Sequence, residues 1–223
     1  MDNWSGAIVN AAAGDSCQWV EGTWTVPNAY PPAGAQPGVW YSASTWVGID
    51  GGNDISSDIL QAGCDSDVMI GEASVVHQLN PWWEWFPASS YWITTFAVSQ
   101  GDTLNCLICV SSPTRALIYL YNVTTNIATR FMATPPSEYT LVGNCAEWIV
   151  ERLEIDTNTP ELARYGDVYF DVANAGTVGG VILTPGSGNT INMIDNNQVI
   201  SQGNIETNTL VQVQYTASGT PPG

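Results

Sequence analysis

The chain has 223 residues, enough to bury a full core, and all-β sandwiches of this size are commonly one domain. Charged residues make up only 11% of it: there is no lysine, and four arginines (Arg115, Arg130, Arg152, Arg164) and one histidine, His77, stand against 21 carboxylates, for a formal net charge of -17 at pH 7. That balance repels phosphate backbones and anionic membranes, so nucleic acid and membrane surfaces are excluded as partners, and no run of about 20 apolar residues is present to span a bilayer.

In chain order the sequence predicts strands near Trp19–Val26, Val39–Ile49, Ile59–Ala62, Trp82–Phe86, Tyr91–Val98, Thr103–Val110, Ala116–Val123, Ala128–Ala133, Trp148–Ile155, Val168–Val172, Gly180–Leu183 and Leu210–Tyr215. Helical periodicity is nearly absent. Short runs rich in β-branched and aromatic residues are broken instead by Gly, Pro, Asn, Asp and Ser clusters. Many short strands at this spacing argue for an all-β sandwich or barrel. The Pro31–Gly38 and Leu183–Asn189 stretches read as loops within one domain covering 1–223, and Ala73–Asn80, which carries His77, reads as loop-like. Residues 217–223 read as a frayed tail.

The charge pattern suits acid. Near pH 3 most Asp and Glu side chains are neutral, because their reference pKa values lie near 4, and self-repulsion eases. An acidic protein working at neutral pH remains open on composition alone. Five cysteines (Cys17, Cys64, Cys106, Cys109, Cys145) suggest one or two disulfides and a free thiol outside the cell. Cys106-Leu-Ile-Cys109 has the spacing of half a zinc site, but it lies in an apolar strand with no second pair, so no metal is expected. Asn3-Trp4-Ser5 and Asn122-Val123-Thr124 match the glycosylation sequon, a slight further sign of secretion.

The usual catalytic sets are missing. One histidine leaves no His-based metal site, no Gly-x-Ser-x-Gly surrounds a serine, and no aspartic-peptidase Asp-Thr-Gly occurs. An enzyme with this sequence must work with carboxylates, amides and water. In Trp82-Trp83-Glu84-Trp85-Phe86, alternation puts Trp82, Glu84 and Phe86 on one face of a strand. A carboxylate between two aromatics costs several kcal/mol to bury unpaired, so this face lines a cleft or is simply solvated. In Ala146–Arg152, Glu147, Ile149 and Glu151 share a face, an arrangement suited to a carboxyl with a raised pKa. Gln61 sits mid-strand between apolar neighbours in Asp58–Asp65 and needs hydrogen-bond partners, structural or functional.

Together these segments resemble the eqolisin-type glutamic peptidases (family G1). The resemblance runs in order through Asn3-Trp4-Ser5-Gly6-Ala7, Trp46-Val-Gly-Ile-Asp50, Ile59-Leu-Gln61-Ala-Gly63, Trp82-Trp-Glu84-Trp-Phe-Pro87, Ala146-Glu-Trp-Ile-Val-Glu151-Arg152 and Tyr165-Gly-Asp-Val-Tyr-Phe170 to a closing strand at Val211–Tyr215. It implies a lectin-like (concanavalin-like) β-sandwich of two large curved antiparallel sheets with the site on the concave face. It implies an acid endopeptidase that acts on proteins and peptides; a secreted monomer without cofactor or metal is expected. Its catalytic pair falls on Gln61 and Glu151, with Trp46, Asp50, Asp65, Trp82, Glu84 and Phe86 lining or supporting the site. Phe86 stands where the family usually has Tyr, Asn80 replaces an Asp, and the stretch from Gln61 to Trp82 is longer. A carbohydrate-binding or glycoside-hydrolysing sandwich is the competing reading; it has no need of Gln61.

Overall fold

The computed structural model describes residues 2–52, 55–153 and 161–217. Among these are fifteen strands and no α-helix. They are β1 (Trp4–Asn10), β2 (Cys17–Thr25), β3 (Trp40–Ile49), β4 (Ile59–Ile70), β5 (Val75–Phe86), β6 (Tyr91–Trp92), β7 (Thr103–Ser112), β8 (Arg115–Asn122), β9 (Ile127–Ala133), β10 (Cys145–Glu151), β11 (Asp167–Thr177), β12 (Ile182–Leu183), β13 (Asn189–Asp195), β14 (Gln198–Thr207) and β15 (Leu210–Tyr215). A 3-10 turn, Pro185–Ser187, follows β12.

All strand pairs are antiparallel, and hydrogen bonding runs in the order β6-β5-β4-β3-β10-β1-β13-β14-β15-β11-β2-β7-β8-β9, with β12 beside β11. This long ribbon folds back so that the β2/β7/β11 half lies against the β3/β4/β10 half. Gly22 of β2 marks the close approach: a Cβ there would stand 2.9 Å from both Trp148 and Val47. The Trp148 indole N–H donates to the Glu21 carbonyl at 2.8 Å, tying the layers together. The main core between them includes Trp24, Val47, Leu60, Trp85, Leu104, Ile108, Ile118, Trp148 and Phe170, all essentially inaccessible. The result is the all-β sandwich expected.

Several boundaries differ from the sequence reading. Strand β4 runs on to Ile70, past Gly63, Asp65, Ser66 and Asp67, and β5 begins at Val75, so His77 lies in a strand and not a loop. The expected strand stopped at Ala62; the polar residues beyond it pair because neighbouring strands satisfy them, Ser44 donating to Asp65 and Asn80 to Asp67. Only Tyr91–Trp92 of the expected Tyr91–Val98 strand is extended. Strands β1, β13 and β14 were not expected. The last two are rich in Asn, Gln and Ser and are joined by Asn196 and Asn197, both at positive φ (48° and 62°), the pair of left-handed residues a tight hairpin needs. Residues 154 and 155 of the predicted Trp148–Ile155 strand, and nearly all of the predicted tail, lie outside the described residues.

The expected disulfides are absent: all five cysteines are free thiols. Cys106 and Cys109 are three positions apart on β7, which turns them to opposite faces. Neither sequon is open for modification in the fold. Asn122 is fully buried and donates to Asp102, and the Asn3 amide is bound within the site described next.

Candidate active site

Strand alternation sorts five neighbouring strands into an inner face, which feeds the main core, and an outer face, where the polar residues gather. On the outer face the register stacks residues in rows. Glu151 of β10 lies opposite Ser44 of β3, then Asp65 of β4 and Asn80 of β5. One step along, Ile149 lies opposite Trp46, Gly63 and Trp82. The next row is Glu147, Gly48, Gln61 and Glu84. Strand β1 supplies Trp4 opposite Glu151 and Ile8 opposite Glu147. Trp4, Ile8, Trp46, Trp82, Cys145 and Ile149 form a second apolar cluster on this face.

Trp46 is the hinge of the arrangement. Its ring is fully buried, packed edge-on against Trp4 at 4.7 Å between centroids. Its indole N–H donates to Glu151 Oε2 at 2.9 Å. The far edge of the ring reaches over Gly48, whose absent Cβ would stand 2.9 Å from it. Gly48 is the register partner of Gln61. One indole thus spans from Glu151 to the row of Gln61. Gly63 keeps this layer flat, because a Cβ there would fall 2.1 Å from the Thr45 carbonyl oxygen. A Gly63→Ala variant is expected to lose several degrees of melting temperature together with activity, since the obstacle is backbone and cannot turn aside. Thermal melts and turnover would show it.

Gln61 is buried, and its Nε2 donates to Glu84 Oε2 at 2.6 Å. Glu84 is half-buried; desolvation raises its pKa, and the Gln61 bond opposes that rise. The bond fixes which end of the amide faces Glu84. Gln61 Oε1 is buried with no hydrogen-bond partner among the described residues.

Around this pair burial favours the neutral form of the acids. Asp65, whose carboxylate accepts from Ser44 Oγ at 2.5 Å, has its pKa pushed up to about 8, chiefly by desolvation, with Asp67 and Glu151 adding repulsion. Ser44 in turn accepts from the Trp82 indole at 3.1 Å, so Trp82 and Asp65 are linked through one hydroxyl. Asp67, bonded to Ser42 and to Asn80, is raised by burial too. Glu147 is wholly buried and raised well above the carboxylate range by desolvation and by Asp50; it lies beside the Cys145 thiol, a weak donor, and no stronger hydrogen bond from the described residues reaches either oxygen.

The structure therefore brings Gln61, Glu151, Trp46, Asp65, Trp82 and Glu84 together on one face. Phe86 lies at its rim, opposite Ile59 and exposed. Asp50 stands apart, at the end of β3 with φ 72°, where its carboxylate accepts the backbone N–H groups of Val142, Gly143 and Asn144 at 2.7–3.0 Å. It braces the loop that launches β10. The sequence reading assigned no role to Ser44 or Asn3. Ser44 was signalled by the alternation Ser42, Ser44, Trp46, Gly48; Asn3 was signalled only by its motif. Among the described residues no cluster of three or more His, Cys, Asp or Glu could hold a metal ion.

An all-β sandwich of this kind has counterparts among known peptidases. The sequence profile of the Peptidase A4 family matches residues 2–215. The chain is 29% identical over 217 residues to Aspergillopepsin-2 of Aspergillus niger, covering 91% of this chain and 74% of that one. It is 30% identical over 152 residues to Scytalidopepsin B of Scytalidium lignicola, covering 68% of this chain and 52% of the relative's length. Among solved structures it is similar to scytalido-glutamic peptidase with a peptide-based transition state analog, at TM-score 0.78 and 26% identity, over 96% of this chain and 98% of that one. The chain belongs to the Peptidase A4 family and is a glutamic peptidase of the eqolisin type.

Proposed function

We propose that the protein is a secreted acid endopeptidase that hydrolyses peptide bonds with Glu151 and Gln61. The observation that carries this reading is the placement of Glu151, held by the Trp46 indole N–H on the same face as a Gln61 amide oriented by Glu84. A peptide laid along this face would meet Glu151 and the Gln61 amide. Glu151 as carboxylate takes a proton from water while the water oxygen bonds to the scissile carbonyl carbon. The second N–H of Gln61 donates to the oxyanion that forms, an interaction typically worth about 2.7–4 kcal/mol. Glu151 then returns its proton to the nitrogen as the C–N bond breaks, which regenerates the carboxylate and releases acid and amine.

Acid pH fits this division of labour. Burial pushes the Asp65 pKa up to about 8, so in acid this carboxyl is protonated and its repulsion of Glu151 is relieved. Carboxylates have reference pKa values near 4, so in mild acid one can be ionised enough to act as base and still return its proton readily. The glycosidase alternative needs two carboxyls free to act; Glu84 is occupied by Gln61. Among the described residues no helix is long and apolar enough to cross a membrane. The resemblance to a scytalido-glutamic peptidase bound to a peptide-based transition state analog supports a peptide substrate.

The test is cleavage of an acid-denatured protein between pH 2 and pH 7. A maximum below about pH 5 is expected. Absence of cleavage at every pH, with a folded protein, would overturn the assignment.

A further inference from the structure

Glu151 has two oxygens, and Trp46 accounts for one. The other, Oε1, accepts from the side-chain amide of Asn3 at 3.0 Å. Asn3 is itself fixed to the exit of β10. Its carbonyl accepts the Arg152 backbone N–H at 2.9 Å, and its amide also reaches the Arg152 carbonyl at 3.3 Å. Just beyond it, Trp4 lies opposite Glu151 in the β1–β10 ladder, and β1 runs between β10 and β13 in the middle of the sheet.

We propose that Asn3 is a positioning residue of the hydrolytic site: its amide and the Trp46 indole hold the two oxygens of the Glu151 carboxylate from opposite sides, which makes the N-terminal strand part of the catalytic machinery. This deepens the reading of Glu151 as the general base and rests on it.

The physical logic lies in the choice of donors. Two N–H groups on opposite oxygens oppose rotation about the last side-chain bond, so the carboxylate is held in one orientation for its work on the attacking water. Hydrogen bonds to the ionised form favour it, so they extend the range over which Glu151 is a base into more acid conditions. Both donors are neutral at every pH. A guanidinium in the same place would depress the pKa by about 1–3 units and make the later proton return harder. One is close at hand, but Arg152 is turned to Asp195 at 3.5 Å. Among the described residues, Asp65, across Ser44 on β4, is a like charge to Glu151, and β3 brings Ser44 and Trp46 alongside it.

The same geometry makes the Asn3-Trp4-Ser5 sequon incompatible with a glycan in the active fold. The Asn3 nitrogen that would carry the sugar is the donor to Glu151, and Ser5 is fully buried and bonded to the Val150 carbonyl.

The experiment compares Asn3→Ala and the near-isosteric Asn3→Asp with wild type and Glu151→Gln, by kcat and KM on one peptide substrate from pH 2 to pH 6, with melting curves at each pH. For Asn3→Ala, kcat is expected to fall about tenfold, KM to stay within about twofold, and the acid limb of the profile to move up by about half a pH unit or more. Asn3→Asp is expected to approach wild type near pH 3, where a neutral acid O–H replaces the amide donor, and to lose activity steeply above pH 4 as two carboxylates come to face each other. It also serves if Asn3→Ala fails to fold. Wild-type kcat and an unmoved acid limb in the folded variants, with Glu151→Gln inactive, would overturn the proposal. So would a lowered melting temperature with no change in the pH profile, the mark of a merely structural residue. An active Glu151→Gln would instead remove the base assignment on which the proposal stands.

Discussion

Glu151→Gln is expected to reduce kcat by at least about a thousandfold at the pH optimum, and Gln61→Ala by about a hundred- to a thousandfold. Loss of a general base and acid typically costs 10²–10⁴, and here one group serves in both halves of the reaction. The glutamine at 151 is nearly isosteric, so the β10 ladder and the Trp46 packing survive, but an amide cannot take a proton from water in acid. One of its ends also presents N–H groups to a donor, Asn3 or Trp46. Gln61→Ala removes the oxyanion donor, whose loss in comparable sites costs about 10²–10³, and frees the Glu84 carboxylate that it satisfied. The two losses are not independent. If the residues act as a unit, the double variant is expected to be little worse than Glu151→Gln alone. Single-turnover and steady-state rates at the optimum and at pH 6 separate a true loss from a displaced profile. Substantial activity in either folded single variant would refute its assigned role.

Much of this site was legible because β-strand alternation is a strict rule. Once Trp82–Phe86 and Ala146–Arg152 are read as strands, Glu84 must share a face with Trp82, and Glu151 with Ile149 and Glu147, and they do. What alternation cannot supply is register between strands distant in sequence. That Gln61 lies across Gly48 from Glu147, while Glu151 lies across Ser44 from Asp65, depends on pairings made only in the fold. The polar half of β4 was missed for a related reason. Gly63, Asp65, Ser66 and Asp67 look like a turn until Ser42, Ser44 and Asn80 are placed beside them. Strands β13 and β14 hide behind Asn, Gln and Ser, residues that serve loops and polar sheet faces equally well. Asp50 was read as a supporting residue beside Trp46; that it does so from positive φ, by holding the 142–144 loop, is a contact that sequence proximity does not show. The cysteine count suggested cross-links, yet four of the five thiols are simply buried apolar groups.

Stability is expected to fall steeply as pH rises from about 4 to about 8, with a melting temperature more than 10 °C lower at the upper end. Desolvation raises the folded-state pKa of Asp65, Asp67, Asp50, Glu84 and Glu147 above their ordinary values. Between the unfolded and folded pKa of such a group, the native state holds a proton that the unfolded state has released. Raising the pH through that window therefore favours unfolding. For Asp65 the window runs from 3.8 to about 8, and a shift of that order corresponds to about 6 kcal/mol. A domain's whole stability is typically about 5–15 kcal/mol, and at this size each kcal/mol moves the midpoint by about 2–4 °C. The other buried acids push the same way, as does the self-repulsion of a chain whose formal charge reaches -17 at pH 7. Asp15, whose pKa is lowered by hydrogen bonds from Thr177 and from backbone N–H groups, acts oppositely, but its window lies below 3.8. Asp65→Asn isolates the largest resolved contribution. Its carbonyl still accepts from Ser44, so at pH 3–4 the variant should melt near wild type, while at pH 7–8 it should be clearly more stable. A wild-type melting temperature that is flat or rising across this range would show that these carboxylates are solvated in the native state. An Asp65→Asn variant that fails to gain stability at pH 7–8 would show that Asp65 is not buried as a neutral acid. The gain expected instead would mean that the hydroxyl and carboxyl rows beside Glu151 are built from acids meant to stay protonated, and that the fold itself, as much as the Glu151 chemistry, confines the enzyme to acid.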